Sequence, residues 1–223
     1  MLIIFDLDDT LIDSSGSIIP IKLKAALQAM MKAGLKISSP DAAFQTLLSI
    51  NASAPNGKET LRTFLDNIRA NARFLEIGVK EYYGATETSF SISPLPEAIN
   101  VLKELKEKHD LVIVSTGDEK QQYLKLKKAN IDTKLFHKII VCEGYNKKSQ
   151  YKNLMTEFNC RPENILVCGD KFETDLLPAK ELGMKTAHLL WGRAASIPLK
   201  GESPDYSLRG LPELKRIVNE WSE

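Results

Sequence analysis

Two aspartates, Asp6 and Asp8, follow directly on the apolar run Leu2-Ile3-Ile4-Phe5. The run has the length of a buried strand. Alternate residues of a strand face one side, and a chain that curls after Asp6 lets both carboxylates converge on one point. Converging carboxylates repel unless a cation or a shared proton lies between them. The segment therefore calls for a metal or a proton relay. A structural role competes with this, because an Asp after a strand is a common turn former or helix N-cap, and Asp9 or Thr10 can fill that place. An EF-hand loop is excluded: it needs Gly at its sixth position and Glu at its twelfth, where the chain has Leu11 and Ser17.

The elements that must position these groups come next. Strand-length apolar runs recur at residues 111–114, 138–142, 165–168 and 185–190, and they alternate with helix-like stretches at 95–108, 119–129, 149–158 and 174–182. Gly183 follows the last of these as a C-cap. Fully apolar strands alternating with helices predict an α/β core, a doubly wound parallel sheet covered on both faces. Between the first two strands, residues 21–33, 41–48, 58–72 and 76–83 read as helices with no strand among them. A βαβ crossover needs only about a dozen residues, so roughly seventy to eighty are surplus. We expect an inserted helical domain over residues 15–92 and a core built from 1–14 and 93–223, with Ser14-Ser15-Gly16-Ser17 and Ser91-Ile92-Ser93-Pro94-Leu95-Pro96 as paired linkers.

In open parallel sheets, ligands bind beyond the carboxyl ends of the strands. At those ends stand Asp6, then Ser115-Thr116-Gly117, then Lys147-Lys148, then Gly169-Asp170 with Asp175 one turn further on. Composition narrows the partners. Thirty basic and twenty-nine acidic residues leave a formal charge of +1, which gives no global attraction to nucleic acid or an anionic membrane. Met1 to Phe5 lack a basic flank and are interrupted by Asp6, so neither a signal peptide nor an anchor is expected, and a cytoplasmic location is. Cys142, Cys160 and Cys168 are too few and scattered for a disulfide framework. The three histidines, His109, His137 and His188, sit in no ligand spacing. Asn51-Ala52-Ser53 fits a glycosylation sequon, which without a secretory signal is read as coincidence. Arg62, Arg69 and Arg73 are spaced to share a helix face, read as solvated, and Arg193 is read as a surface residue.

Asp6-Leu7-Asp8-Asp9-Thr10, the Ser115 hydroxyl, the lysine pair and Gly169-Asp170-Lys171-Phe172-Glu173-Thr174-Asp175 together resemble, in order, the four motifs of the haloacid dehalogenase (HAD) superfamily. The resemblance covers the core, about two thirds of the chain; the helical insertion is similar to that superfamily's cap in position and character. It implies a Rossmann-like core and a Mg²⁺-dependent phosphatase acting on a small phosphorylated metabolite. By resemblance, Asp6 is the nucleophile that forms an aspartyl-phosphate. Asp6, the backbone carbonyl of Asp8 and Asp170 hold Mg²⁺, with Asp175 acting through a water, by orienting its neighbours, or only as an ion-pair partner.

Asp8 is then the general acid that protonates the leaving alcohol and later the base that activates water. Dehalogenases of the superfamily lack this second Asp, so its presence argues for phosphate chemistry. Thr10 either positions Asp8 or caps the turn. Ser115 is preferred to Thr116 for holding a phosphoryl oxygen, helped by backbone N–H groups around Thr116 and Gly117. Family members commonly carry Lys-Pro where this chain has Lys147-Lys148-Ser149, which leaves open which lysine enters the site. A phosphomutase using the same intermediate and a slow Mg²⁺-binding regulatory protein are the alternatives. A monomer or weak homo-oligomer is expected.

Overall fold

A computed structural model describes residues 1–84, 91–142, 144, 147–196, 199 and 201–221. Six parallel strands form one sheet in the order β3-β2-β1-β4-β5-β6, where β1 is Leu2–Phe5, β2 Asp110–Thr116, β3 Lys138–Cys142, β4 Ile165–Gly169, β5 Lys185–Leu189 and β6 Tyr206–Leu208. From β1 the chain builds outward through β2 and β3, then returns to lay β4 on β1's other side. β1 is thus the point where strand order reverses, and the crevice beyond its carboxyl end is where such a sheet binds ligands.

The register sets what meets there. Phe5 lies level with Ile113 on one side and Cys168 on the other, and the Asp6 N–H donates to the Cys168 carbonyl at 2.9 Å. Asp6 and the end of β4 therefore leave the sheet at one height, while β2 runs on to Thr116 beside them. Both faces are covered. Leu2, Ile4, Val112, Val114, Ile165 and Val167 pack on one face with Tyr151, Leu154, Leu176 and Met184. The intervening Ile3, Phe5, Leu111, Ile113, Leu166 and Cys168 are buried as well. Burial of alternate residues on both faces explains why these strands carry no polar residue in mid-run.

The core has two features beyond the expected elements. β6 and the helix Pro212–Glu220 extend it at the carboxyl-terminal end, and a strand of three residues is too short to show a period. The stretch read as one helix from 174 to 182 is instead a π-helical turn, Phe172–Leu176, followed by a short helix, Leu177–Lys180. The Leu177 N–H reaches back five residues to the Phe172 carbonyl, and Pro178 has no N–H to continue a regular ladder.

Ser15–Phe90 forms a separate compact unit. Its helices Ile19–Lys32, Pro40–Asn51, Gly57–Asn67 and Arg73–Gly84 bury their own core of Leu23, Leu27, Met30, Leu61, Phe64 and Phe74. Ser39 and Asn56 cap two of them by accepting from the Ala42 and Glu59 N–H groups. Gly57 admits no side chain, since a Cβ there would lie 2.4 Å from the Tyr82 ring. The arginines do not share a helix face: the helix ends at Asn67, and Arg69 takes a left-handed φ of 52° that redirects the chain before Arg73 opens the next helix. Asn51 of the sequon is buried and accepts from Thr60 Oγ1, so that side chain is inaccessible to modification. Ser91 and Ile92 belong to the α/β unit, where the two linkers run together: Asp13 N–H donates to Ser93, and Leu95 N–H to Leu11, both at 2.9 Å.

Candidate active site

At the end of β1 the chain turns sharply. Asp9 adopts a left-handed φ of 57°, and the N–H groups of Leu11 and Ile12 both return to the Leu7 carbonyl. This curl separates the two aspartates of the opening motif into different surroundings. Asp6 faces Lys147, whose Nζ lies 2.6 Å from Asp6 Oδ1 and 2.7 Å from Asp175 Oδ1. The lysine is only 1% exposed. Burial would strip its proton, but Asp175 and Asp6 outweigh that and hold the ammonium well above its ordinary pKa. Asp175 is held below the ordinary carboxylate range: burial works upward, and Lys147 and Lys171 outweigh it.

Asp175 is packed against the strand. A Cβ on Gly169 would come within 2.8 Å of its carboxylate, so only glycine lets it lie there. Its Oδ2 accepts the Lys171 N–H at 3.1 Å and its Oδ1 the Thr174 hydroxyl at 3.2 Å, while its own carbonyl accepts from Tyr151 Oη at 3.0 Å. The π-helical turn and the Lys171 N–H at its start thus fix the carboxylate of the residue, and Tyr151 fixes its carbonyl.

Asp6, Asp170 and Asp175 each present a carboxylate oxygen within 4.8 Å of the others, all buried. Burial lifts the Asp6 carboxyl above its usual value against the pull of Lys147. Asp170 is lifted further by burial, with Lys171 opposing and the neighbouring carboxylates adding. Its Oδ1 is buried without a hydrogen-bond partner among the described residues. Buried carboxylates of this kind are either neutralised by protons or balanced by cations. An orphaned oxygen beside two further carboxylates fits a hard divalent cation, and an all-oxygen donor set fits Mg²⁺. His188, on β5, adds a contact from behind: its Nε2 lies 2.8 Å from the Asp170 carbonyl.

The Asp8 carboxylate is not part of this cluster. Lys125 Nζ reaches its two oxygens at 2.8 and 2.7 Å, Gln122 Nε2 lies 3.2 Å from Oδ2, and the Ser14 hydroxyl donates to Oδ1. Burial would raise the Asp8 pKa, but Lys125, with help from Ser14 and Lys171, holds it below the ordinary range. Ser115 is buried at the end of β2, and its Oγ accepts from Gln122 Nε2 at 2.9 Å.

Of the residues expected from sequence, Asp6, Asp170, Asp175 and Lys147 come together. Lys148 does not join them; it pairs with Glu181 at 2.6 Å on the surface. The Thr10 hydroxyl neither positions Asp8 nor caps the turn, since it is buried without a partner among the described residues, and Ser14 takes the place beside Asp8. The Gly117 N–H is occupied by the Cys142 carbonyl at 3.2 Å, because β2 and β3 remain paired to that height. Gln122, Lys125, Ser14 and Lys171 were not singled out from sequence. A signal exists for Gln122, which shares the buried stripe of its helix with Leu126 and Ala129, an unusual place for an amide.

A parallel sheet with carboxylates gathered beyond its switch point defines an α/β enzyme architecture, and comparison places it. Residues 3–189 match the haloacid dehalogenase-like hydrolases, and the chain belongs to that family. It is 29% identical to glyceraldehyde 3-phosphate phosphatase of Pyrococcus furiosus, covering 97% of this chain and 92% of that one. The protein of the same name from Methanocaldococcus jannaschii is 28% identical, covering 97% and 96%. Among solved structures, a predicted phosphoglycolate phosphatase from Haemophilus somnus superposes with a TM-score of 0.71 at 21% identity, over 97% of each chain. No helix among the described residues is long and apolar enough to cross a membrane.

Proposed function

We propose that this protein is a Mg²⁺-dependent phosphatase of a small phosphomonoester, working through an aspartyl-phosphate on Asp6. The observation that carries the reading is the joining of Asp6, Asp170 and Asp175 around Lys147 beyond the end of β1. Asp6, Asp170 and the Asp8 carbonyl are the residues that would hold Mg²⁺, with Asp175 orienting Lys147. When bound, the cation supplies charge neutralisation that lets a carboxylate approach a phosphate. Lys147 takes one Asp6 oxygen, which leaves the other to attack phosphorus in line. The Ser115 hydroxyl holds a phosphoryl oxygen. Asp8 gives its proton to the departing alkoxide and then takes one from the water that hydrolyses the aspartyl-phosphate. The helical unit is the cap, which sorts leaving groups by size.

The names of the relatives support a three-carbon phosphorylated aldehyde as the first substrate to try. Phosphate release from glyceraldehyde 3-phosphate and a panel of small esters should require Mg²⁺ and should disappear in Asp6→Asn. Undiminished turnover by that variant would defeat the assignment of the nucleophile.

A further inference from the structure

Gln122 and Lys125 stand outside the four motifs, yet they make most of the contacts to Asp8. They lie on the helix Glu119–Lys128, which begins two residues after β2, the strand that ends with Ser115 and Thr116. Asp118 caps that helix by accepting the Gln121 N–H at 3.0 Å, and Leu126 and Ala129 bury its inner face. The helix is rich in lysine, a composition that ordinarily marks a solvated face. Lys120 and Lys127 are indeed exposed, but the Lys125 side chain is only 19% exposed and turns inward to Asp8. Gln122 Nε2 faces three acceptors at once: the Thr116 carbonyl at 2.7 Å, Ser115 Oγ at 2.9 Å and Asp8 Oδ2 at 3.2 Å. The Thr116 carbonyl can only accept, which fixes the amide orientation.

We infer that Gln122 and Lys125 are positioning residues that hold the proton-transferring Asp8 and the phosphate-holding Ser115 in one geometry. The inference rests on the phosphatase reading above and deepens it. By donating to Ser115 Oγ, Gln122 leaves the serine proton free for a phosphoryl oxygen. Lys125 grips both oxygens of Asp8. As an Asp6 oxygen bonds to phosphorus, the bond from phosphorus to the leaving oxygen breaks, and that oxygen takes the Asp8 proton. Lys125 already pairs with the Asp8 carboxylate in the free site, so the proton that Asp8 passes on enters with the monoanionic phosphate ester, and its departure to the leaving oxygen returns Asp8 to that ion pair. The sequence spacing of three on one helix turn puts both donors on the same side, over the ends of β1 and β2.

The test uses two esters that differ in how much they need a proton. An alkyl phosphate, glycerol 3-phosphate, has a poor leaving group; p-nitrophenyl phosphate leaves as a stable anion. In Lys125→Met, kcat/KM for the alkyl ester should fall about 10- to 100-fold, and for the aryl ester less than about 3-fold. Lys125→Arg should recover most of the loss. Gln122→Leu should lower the alkyl rate in the same way and raise KM for both esters, since Ser115 loses its partner too. Equal losses on the two esters, or none, in a variant whose circular dichroism matches wild type would overturn the inference. Wild-type activity separates the two levels: if wild type with Mg²⁺ present releases phosphate from neither ester nor from glyceraldehyde 3-phosphate and the ester panel, the phosphatase reading falls and this inference with it. If wild type is active, only the inference is at stake.

Discussion

Lys147 and Lys148 are adjacent in sequence and opposite in circumstance. Lys147 is sealed between two buried carboxylates, whereas Lys148 meets Glu181 in a surface pair that is 37% and 48% exposed on its two sides. Removing one partner from a buried ion cluster leaves uncompensated charge, and costs about 3–5 kcal/mol. An exposed pair is worth about 0–1 kcal/mol. Lys147→Met should therefore abolish phosphate release and lower the urea midpoint, while Lys148→Met should leave both near wild type. Comparable damage from the two variants would mean that the pair is not divided in this way. The sequence left these neighbours indistinguishable because the helix Lys148–Glu157 starts between them, and one residue of helical rotation, about 100°, decides which side chain points inward.

At the level of elements, the short strand β6 depends on one aspartate. The Asp205 carboxylate accepts the Thr186 N–H at 2.9 Å and the Thr186 hydroxyl at 2.7 Å, and its own N–H donates back to that hydroxyl at 3.0 Å. Burial would raise the Asp205 pKa, but the Thr186 hydrogen bonds outweigh it and keep the folded value below the ordinary one. For a depressed carboxylate the stabilisation is fully present above the unfolded pKa, about 3.9, and is lost as pH falls through the folded value. Asp205→Ala should cost about 1–3 kcal/mol at neutral pH. The gap between variant and wild type should stay constant down to about pH 5 and narrow below it. A gap that widens on acidification would show that Asp205 does not act as an ionised acceptor. None of this was legible in advance, because three residues of strand carry no period. The five longer strands were legible as short runs, most plainly β1 and β4, which are buried along their whole length and carry no polar side chain.

For the molecule as a whole, the proposed cation site at the orphaned Asp170 oxygen and its two carboxylate neighbours would tie folding to Mg²⁺. A ligand that binds only the folded state adds about 2.7 kcal/mol at a hundred times its dissociation constant. Mg²⁺ should accordingly raise the melting temperature of the wild type and leave that of Asp170→Asn unmoved; equal shifts in the two would place the cation elsewhere. The sequence by itself determined the parallel α/β core, the existence of a helical insertion between its first two strands, and the set of polar groups at the strand ends. These follow from periodicity and from residues adjacent along the chain, both of which are local. Only the tertiary structure decided which lysine enters, that Asp8 is held by Lys125 and Gln122 rather than by Thr10, and that Asp175 lies against Gly169. Those contacts join residues as many as 141 positions apart. Their partners are chosen by sheet register and helix rotation, which no local pattern encodes.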